Sequence, residues 1–129
     1  MSDIPNQHQN LKTIHYILAE DGRTPIPEPD VVKFYKWFDD IDNRFVRCQT
    51  VHGHFISTVF IGVDHSFGRG DPELWETMVF PSDSLAQVYC DRYSSYKDAI
   101  IGHKKAVTWV KENIKEDNAD KLKGERGEG

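Results

Sequence analysis

Four strand-like runs follow one another through connections that are too short for a crossover. That pattern constrains the fold of this chain more than any other feature. RFVRCQTV (44–51), FISTVFIGV (55–63), ELWETMVF (73–80) and VYCDRY (88–93) are rich in β-branched and aromatic residues. HGH joins the first two, the loop DHSFGRGDP (64–72) the next two, and Pro81 with SDSLAQ leads to the last. A parallel crossover takes about a dozen residues or more, so neighbouring strands must pair antiparallel. Gly53, between two histidines, suits a tight turn that needs positive φ.

The flanking segments add a further strand and two helices. TIHYILAEDG (13–22) reads as a strand that ends in the Asp21–Gly22 turn signal. RTPIPEP (23–29) has proline at every second position and reads as an extended connector rather than a ladder strand. Asp30 can cap a helix in which Val31, Phe34, Tyr35, Phe38 and Ile41 share a face, with Asn43 as its stop. Ser95 and Asp98 stand at capping-box spacing before a second helix running to Glu116. Its apolar face holds Tyr96, Ala99, Ile100, His103, Ala106, Val107 and Val110.

The expected fold is α+β: an antiparallel sheet of about four to five strands with two helices packed on one face. A single domain over 13–116 suits a chain of 129 residues, with 1–12 a flexible N-terminus and 117–129 a disordered charged tail. An apolar fraction of 38% with 12% aromatics is enough for one core. The net charge of −5 argues against direct nucleic-acid binding, which needs a basic surface. No apolar run approaches the roughly 20 residues of a membrane helix. Cys48 and Cys90 follow no secretory signal, so the expected thiols are reduced and the expected compartment is the cytoplasm.

Candidate chemistry gathers around the loop. Asp64 and His65 end one strand and Glu76 lies inside the next, so a hairpin brings them into one region. A carboxylate beside an imidazole can orient acid–base work, and it can equally tie down a loop. No nucleophile elbow and no paired HxT motif accompanies them. His52 and His54 could join His65 around a metal only if both ends of the second strand met. Nine extended residues span roughly 30 Å, so these two read as solvated turn residues and no metal or other cofactor is expected. His103, on an apolar helix face, reads as a satisfied core histidine. The GRGDP loop offers amides and Arg69 to an anion, but without the lysine and spacing of a phosphate loop.

The run 73–80 is apolar on both faces. Leu74, Glu76, Met78 and Phe80 alternate with Trp75, Thr77 and Val79. One face packs on the helices, and the other, taken as the one with Trp75, must find cover. Glu76 is then half buried and needs a partner, with Arg92, Arg47, Arg44 and His65 in reach. Trp37 and Trp109 also fall off the main apolar faces of their helices. Exposed rings of this kind mark a partner surface, which predicts a homodimer or a protein target.

The combination STVFIGVDHSFG, LWETMVF and CDRYSSYKDAIIGHKKAV resembles a family of small uncharacterised bacteriophage and prophage proteins with an STVxxGxDHxFG…ETMVF…RY…GH pattern. The resemblance covers about Val46 to Val110. It implies a phage origin and a host cytoplasm, and it brings no activity with it. Small phage proteins often act by binding. The expectation is therefore a non-enzymatic inhibitor, of host-takeover or anti-defence type, that binds a host protein or sequesters a small signal nucleotide. Its expected surface is Asp64, His65, Phe67, Arg69, Trp75, Glu76 and Arg92. The alternatives are a small metal-dependent or acid–base hydrolase using Asp64, His65 and Glu76, and a minor structural phage protein.

Overall fold

A computed structural model describes residues 13–115. The expected N-terminal arm and acidic tail lie outside the described residues. The described chain opens with a hairpin of β1 (Tyr16–Leu18) and β2 (Pro25–Pro27). Here the sequence expectation fails, because PIP is a paired strand and not a connector. The register explains why the prolines are tolerated. The amide of Ala19 donates to the Thr24 carbonyl and that of Glu28 to the His15 carbonyl, while Ile17 faces Ile26. Hydrogen-bonded rungs alternate, so Pro25 and Pro27 fall on the rungs between them, where no N–H is required.

Helix α1 (Val31–Phe38) starts at Asp30, whose carboxylate accepts from the amides of Val32 and Lys33. It is shorter than its pattern suggests and passes through a 3₁₀ turn, Ile41–Asn43. Its buried contact is Phe34, while Val31 and Tyr35 are exposed. Gly62 receives Phe34: a side chain there would meet the ring at 3.0 Å and the Tyr16 carbonyl at 3.1 Å, and its φ is +70°. Only glycine meets both conditions.

A four-stranded antiparallel meander follows: β3 (Phe45–Val51), β4 (His54–Phe60), β5 (Trp75–Pro81) and β6 (Tyr89–Tyr93). The first hairpin turns through His52 and Gly53, with φ of 49° and 74°. Positive φ at both central residues matches the right-handed twist of the strands. Helix α2 (Tyr96–Asn113), capped by the Ser95 hydroxyl accepting from the Asp98 amide, lies across one face. Ala99, Gly102, His103, Ala106 and Val110 are its buried residues. Against them stand Ile56, Thr58 and Phe60 of β4 and Trp75, Thr77 and Val79 of β5, all fully buried. The α+β architecture read from the sequence is thus the one observed. The β1–β2 hairpin remains a separate sheet, attached through the Tyr16 amide to the Gly62 carbonyl. No helix among the described residues is long and apolar enough to cross a membrane.

The covered face is the reverse of the one expected. Trp75 points into the domain, edge-on to Phe60 at 5.0 Å, and is fully buried. Trp37 also packs on Phe60, and Trp109 packs on Tyr89. Trp75 therefore builds the interior, while Trp37 and Trp109 are half-buried against their aromatic neighbours. The face left without cover carries Glu76, Met78 and Phe80.

Candidate functional site

The loop between β4 and β5 is built around Asp64. One carboxylate oxygen accepts from the Ser66 amide at 2.7 Å and from the Glu73 amide at 3.0 Å, bridging the two sides of the loop. The Asp64 amide donates to the Ile14 carbonyl, and that of His65 donates to the Glu73 carbonyl. Burial pushes the Asp64 carboxyl up, but the amides of Ser66 and Glu73 and the neighbouring His65 together hold it below its ordinary value. His65 turns its Nδ1 back to the Val63 carbonyl at 2.7 Å. Both side chains fix the backbone of the loop.

That frame projects one side chain outward. Phe67 has φ of 56°, a left-handed conformation that bulky residues rarely adopt, and it is 84% exposed. Gly68 and Gly70 continue the positive-φ path, and the Arg69 amide donates to the Ser66 carbonyl. Water gains nothing from a benzyl group held in this way, and the strained backbone adds about 1–3 kcal/mol of cost.

Glu76 stands elsewhere. It pairs with Arg92 across β5 and β6, with Arg92 Nε donating at 2.9 Å. Its side chain is 12% exposed and that of Arg92 39%. Of the four partners open to Glu76, Arg44 is engaged instead with the Phe38 carbonyl and ring. Asp64 and His65 face Glu73, three residues before Glu76, a separation of roughly 10 Å along the strand. The three residues of the hydrolase alternative do not converge. No group of three His, Cys, Asp or Glu side chains among the described residues could hold a metal ion. His52 and His54 are not free turn residues: His52 donates to the Ile114 carbonyl, and His54 contacts the carbonyl of His52.

A buried polar relay went unread in the sequence apart from His103. Gln49 Oε1 accepts from His103 Nε2 at 2.8 Å, His103 Nδ1 contacts the Thr58 hydroxyl at 2.7 Å, and Thr58 contacts Thr77 at 2.5 Å. With Nε2 donating, a neutral imidazole leaves Nδ1 as acceptor, so Thr58 donates to it and Thr77 donates to Thr58. Burial, with help from nearby Arg47, lowers the proton affinity of His103 and keeps it neutral. Tyr93 lies over Gly102 beside this relay, and burial pushes its hydroxyl up to about 12. Thr58, Thr77, Tyr93, Gly102 and His103 together specify how α2 seats on the sheet.

A polar cleft of ≈ 420 Å³ adjoins the loop, between β6 and α2. Asp71, Glu73, Asp91 and Asp98 line it, against Arg92 and Lys105. No family model matches the chain, and no curated protein and no solved structure matches it.

Proposed function

We propose that this chain is a non-enzymatic binding protein of phage type that counters a host function by engaging a host protein through the loop 64–72. The observation that carries this reading is Phe67, an aromatic side chain 84% exposed on a loop whose two sides Asp64 ties together. Aromatic anchors of this kind contribute most where they enter a pocket on a partner, and a preformed loop loses little freedom on binding. The resemblance to phage and prophage proteins supplies the host setting.

A host protein is preferred to a signal nucleotide because of the charge beside the loop. Four carboxylates line the adjoining cleft, and Arg92 is already committed to Glu76. An anionic ligand would enter against that field, with Arg69 as the cation the loop itself provides.

The test uses Phe67→Ser. Full-length wild-type and variant chains are immobilised and exposed to bacterial lysate, and the partner retained by the wild type is purified and titrated by calorimetry. A hot-spot anchor is worth 2 kcal/mol or more, so the variant should bind at least about 30-fold more weakly with unchanged melting temperature. Equal affinity for both chains, or no retained partner at all, rejects the reading.

A further inference from the structure

The face of the sheet opposite α2 shows no buried residue, although its composition is that of an interior. Rungs of the meander place Phe45, Val59, Glu76 and Arg92 in one row and Cys48, Ser57, Met78 and Cys90 in the next. Thr50, Phe55 and Phe80 form a third. Phe45 is 52% exposed and Phe55 42%. A solvated antiparallel face normally alternates to polar side chains. This one holds a single anion and a single cation, and they neutralise each other at 2.9 Å. Two of these eleven residues are charged, and the other nine are neutral.

We propose that this face is the interface of a homodimer, in which two sheets pack face to face as a sandwich with the helices outermost. Charge selects the occupant. A face whose only charges cancel offers nothing to an acidic or basic partner, and it matches a surface that is itself neutral and apolar over the same outline. A second copy of the same face meets that condition. Residues of the same chain fit less well: 1–12 supply Met1, Ile4 and Leu11 in an otherwise polar segment, and 116–129 supply Ala119 and Leu122 among eight charges.

The size also fits. Four strands of about seven residues present roughly 450 Å² in projection. The relief of the side chains and the exposed Leu85 beside Phe55 and Phe80 enlarge this, with Asp83 at the rim of the same patch and outside the strand rows. Smaller stable interfaces bury about 600 Å² per partner. On closure the Glu76–Arg92 pair enters already neutralised, which avoids burying a lone charge. Cys48 and Cys90 stand exposed on the two edge strands of the face, and a second sheet about 10 Å away would shield them.

Light scattering of the full chain across a concentration series, combined with alkylation of Cys48 and Cys90 read by mass spectrometry, tests the proposal. The expected result is twice the 14.9 kDa chain mass, with both thiols reacting about tenfold more slowly in the dimer. Phe55→Lys and Phe45→Lys, at exposed positions that leave the core intact, should return monomers with fast thiols and an unchanged circular dichroism spectrum. Val32→Lys, on the exposed side of α1, should leave the dimer alone. A monomer at all concentrations overturns the proposal. So does a dimer that survives both phenylalanine variants, or one whose thiols react at the monomer rate. A monomer whose thiols speed up only when residues 116–129 are removed would assign the cover to the chain's own tail instead.

Discussion

Gly102→Ala is the substitution whose sign separates local from tertiary control of α2. In an isolated helix the change is favourable by about 1 kcal/mol, because alanine loses less backbone entropy on folding than glycine does. In this protein the new methyl would stand 2.1 Å from Tyr93 Cζ, 2.2 Å from Cε1 and 2.2 Å from the hydroxyl. Ordinary contact begins near 3.4 Å, so either the ring or the helix must retreat by more than an ångström. The ring is buried and belongs to the cluster that includes Trp75 and Ala99, which leaves it little room to swing away. Moving the helix instead would stretch the His103–Thr58 contact one residue away. Overpacking costs about 1–3 kcal/mol, and a contact more than an ångström too short belongs at about 2–3 kcal/mol, which outweighs the helix propensity. Urea unfolding followed by circular dichroism should show a net loss of about 1–2 kcal/mol with an unchanged slope. In a Tyr93→Ala background the same change should become neutral or favourable, which isolates the clash as a coupling term. A Gly102→Ala protein as stable as the wild type would refute the close seating of helix on sheet.

The buried relay gives a second prediction. His103→Leu should cost about 1–3 kcal/mol by leaving the buried Thr58 hydroxyl without its acceptor, and Thr77→Val should cost less, about 1 kcal/mol, both measured by denaturant titration. The same histidine sets a pH response. Its folded proton affinity is depressed, so the unfolded state binds more protons. Stability is complete above the unfolded value of about 6.5 and falls as pH drops through it. Thermal melts between pH 7.5 and 5 should show the decline, and His103→Leu should flatten it. Asp64 acts in a lower window: its depressed carboxyl contributes stability above about pH 4 that is lost below. Asp64→Ala should speed amide exchange at Ser66 and Glu73 while the amides of β4 and β5 stay protected.

The elements that could be read from the sequence are those whose signals are local. Connection length dictated the antiparallel meander, and Ser95 and Asp98 announced the start of α2. Glu76 and its need for a partner followed from alternation, and Arg92 is the partner found. What failed depended on nonlocal packing. Alternation in 73–80 reveals two apolar faces and cannot say which one a helix will cover. Trp75 and Trp37 meet only through Phe60, from a third segment. The roles of Thr58 and Thr77 carried no local signal, because Thr58 bonds His103, 45 positions away, and Thr77 bonds Thr58, 19 positions away. The prolines of β2 show a different limit, since a spacing of two is what one edge of a hairpin accepts.

The His52 contact to the Ile114 carbonyl holds the end of the described chain at the β3–β4 turn. The described residues end at Lys115 beside the β3–β4 turn, whereas the Phe67 loop lies past the other end of β4, roughly 20 Å away. Ile14, in contrast, is hydrogen-bonded to Asp64 within the loop region itself. The two ends of the domain are therefore unequal as attachment points. A tether on the C-terminal side holds the molecule by its back and leaves Phe67 facing the medium. One attached at Ile14 places the support beside the Phe67 loop.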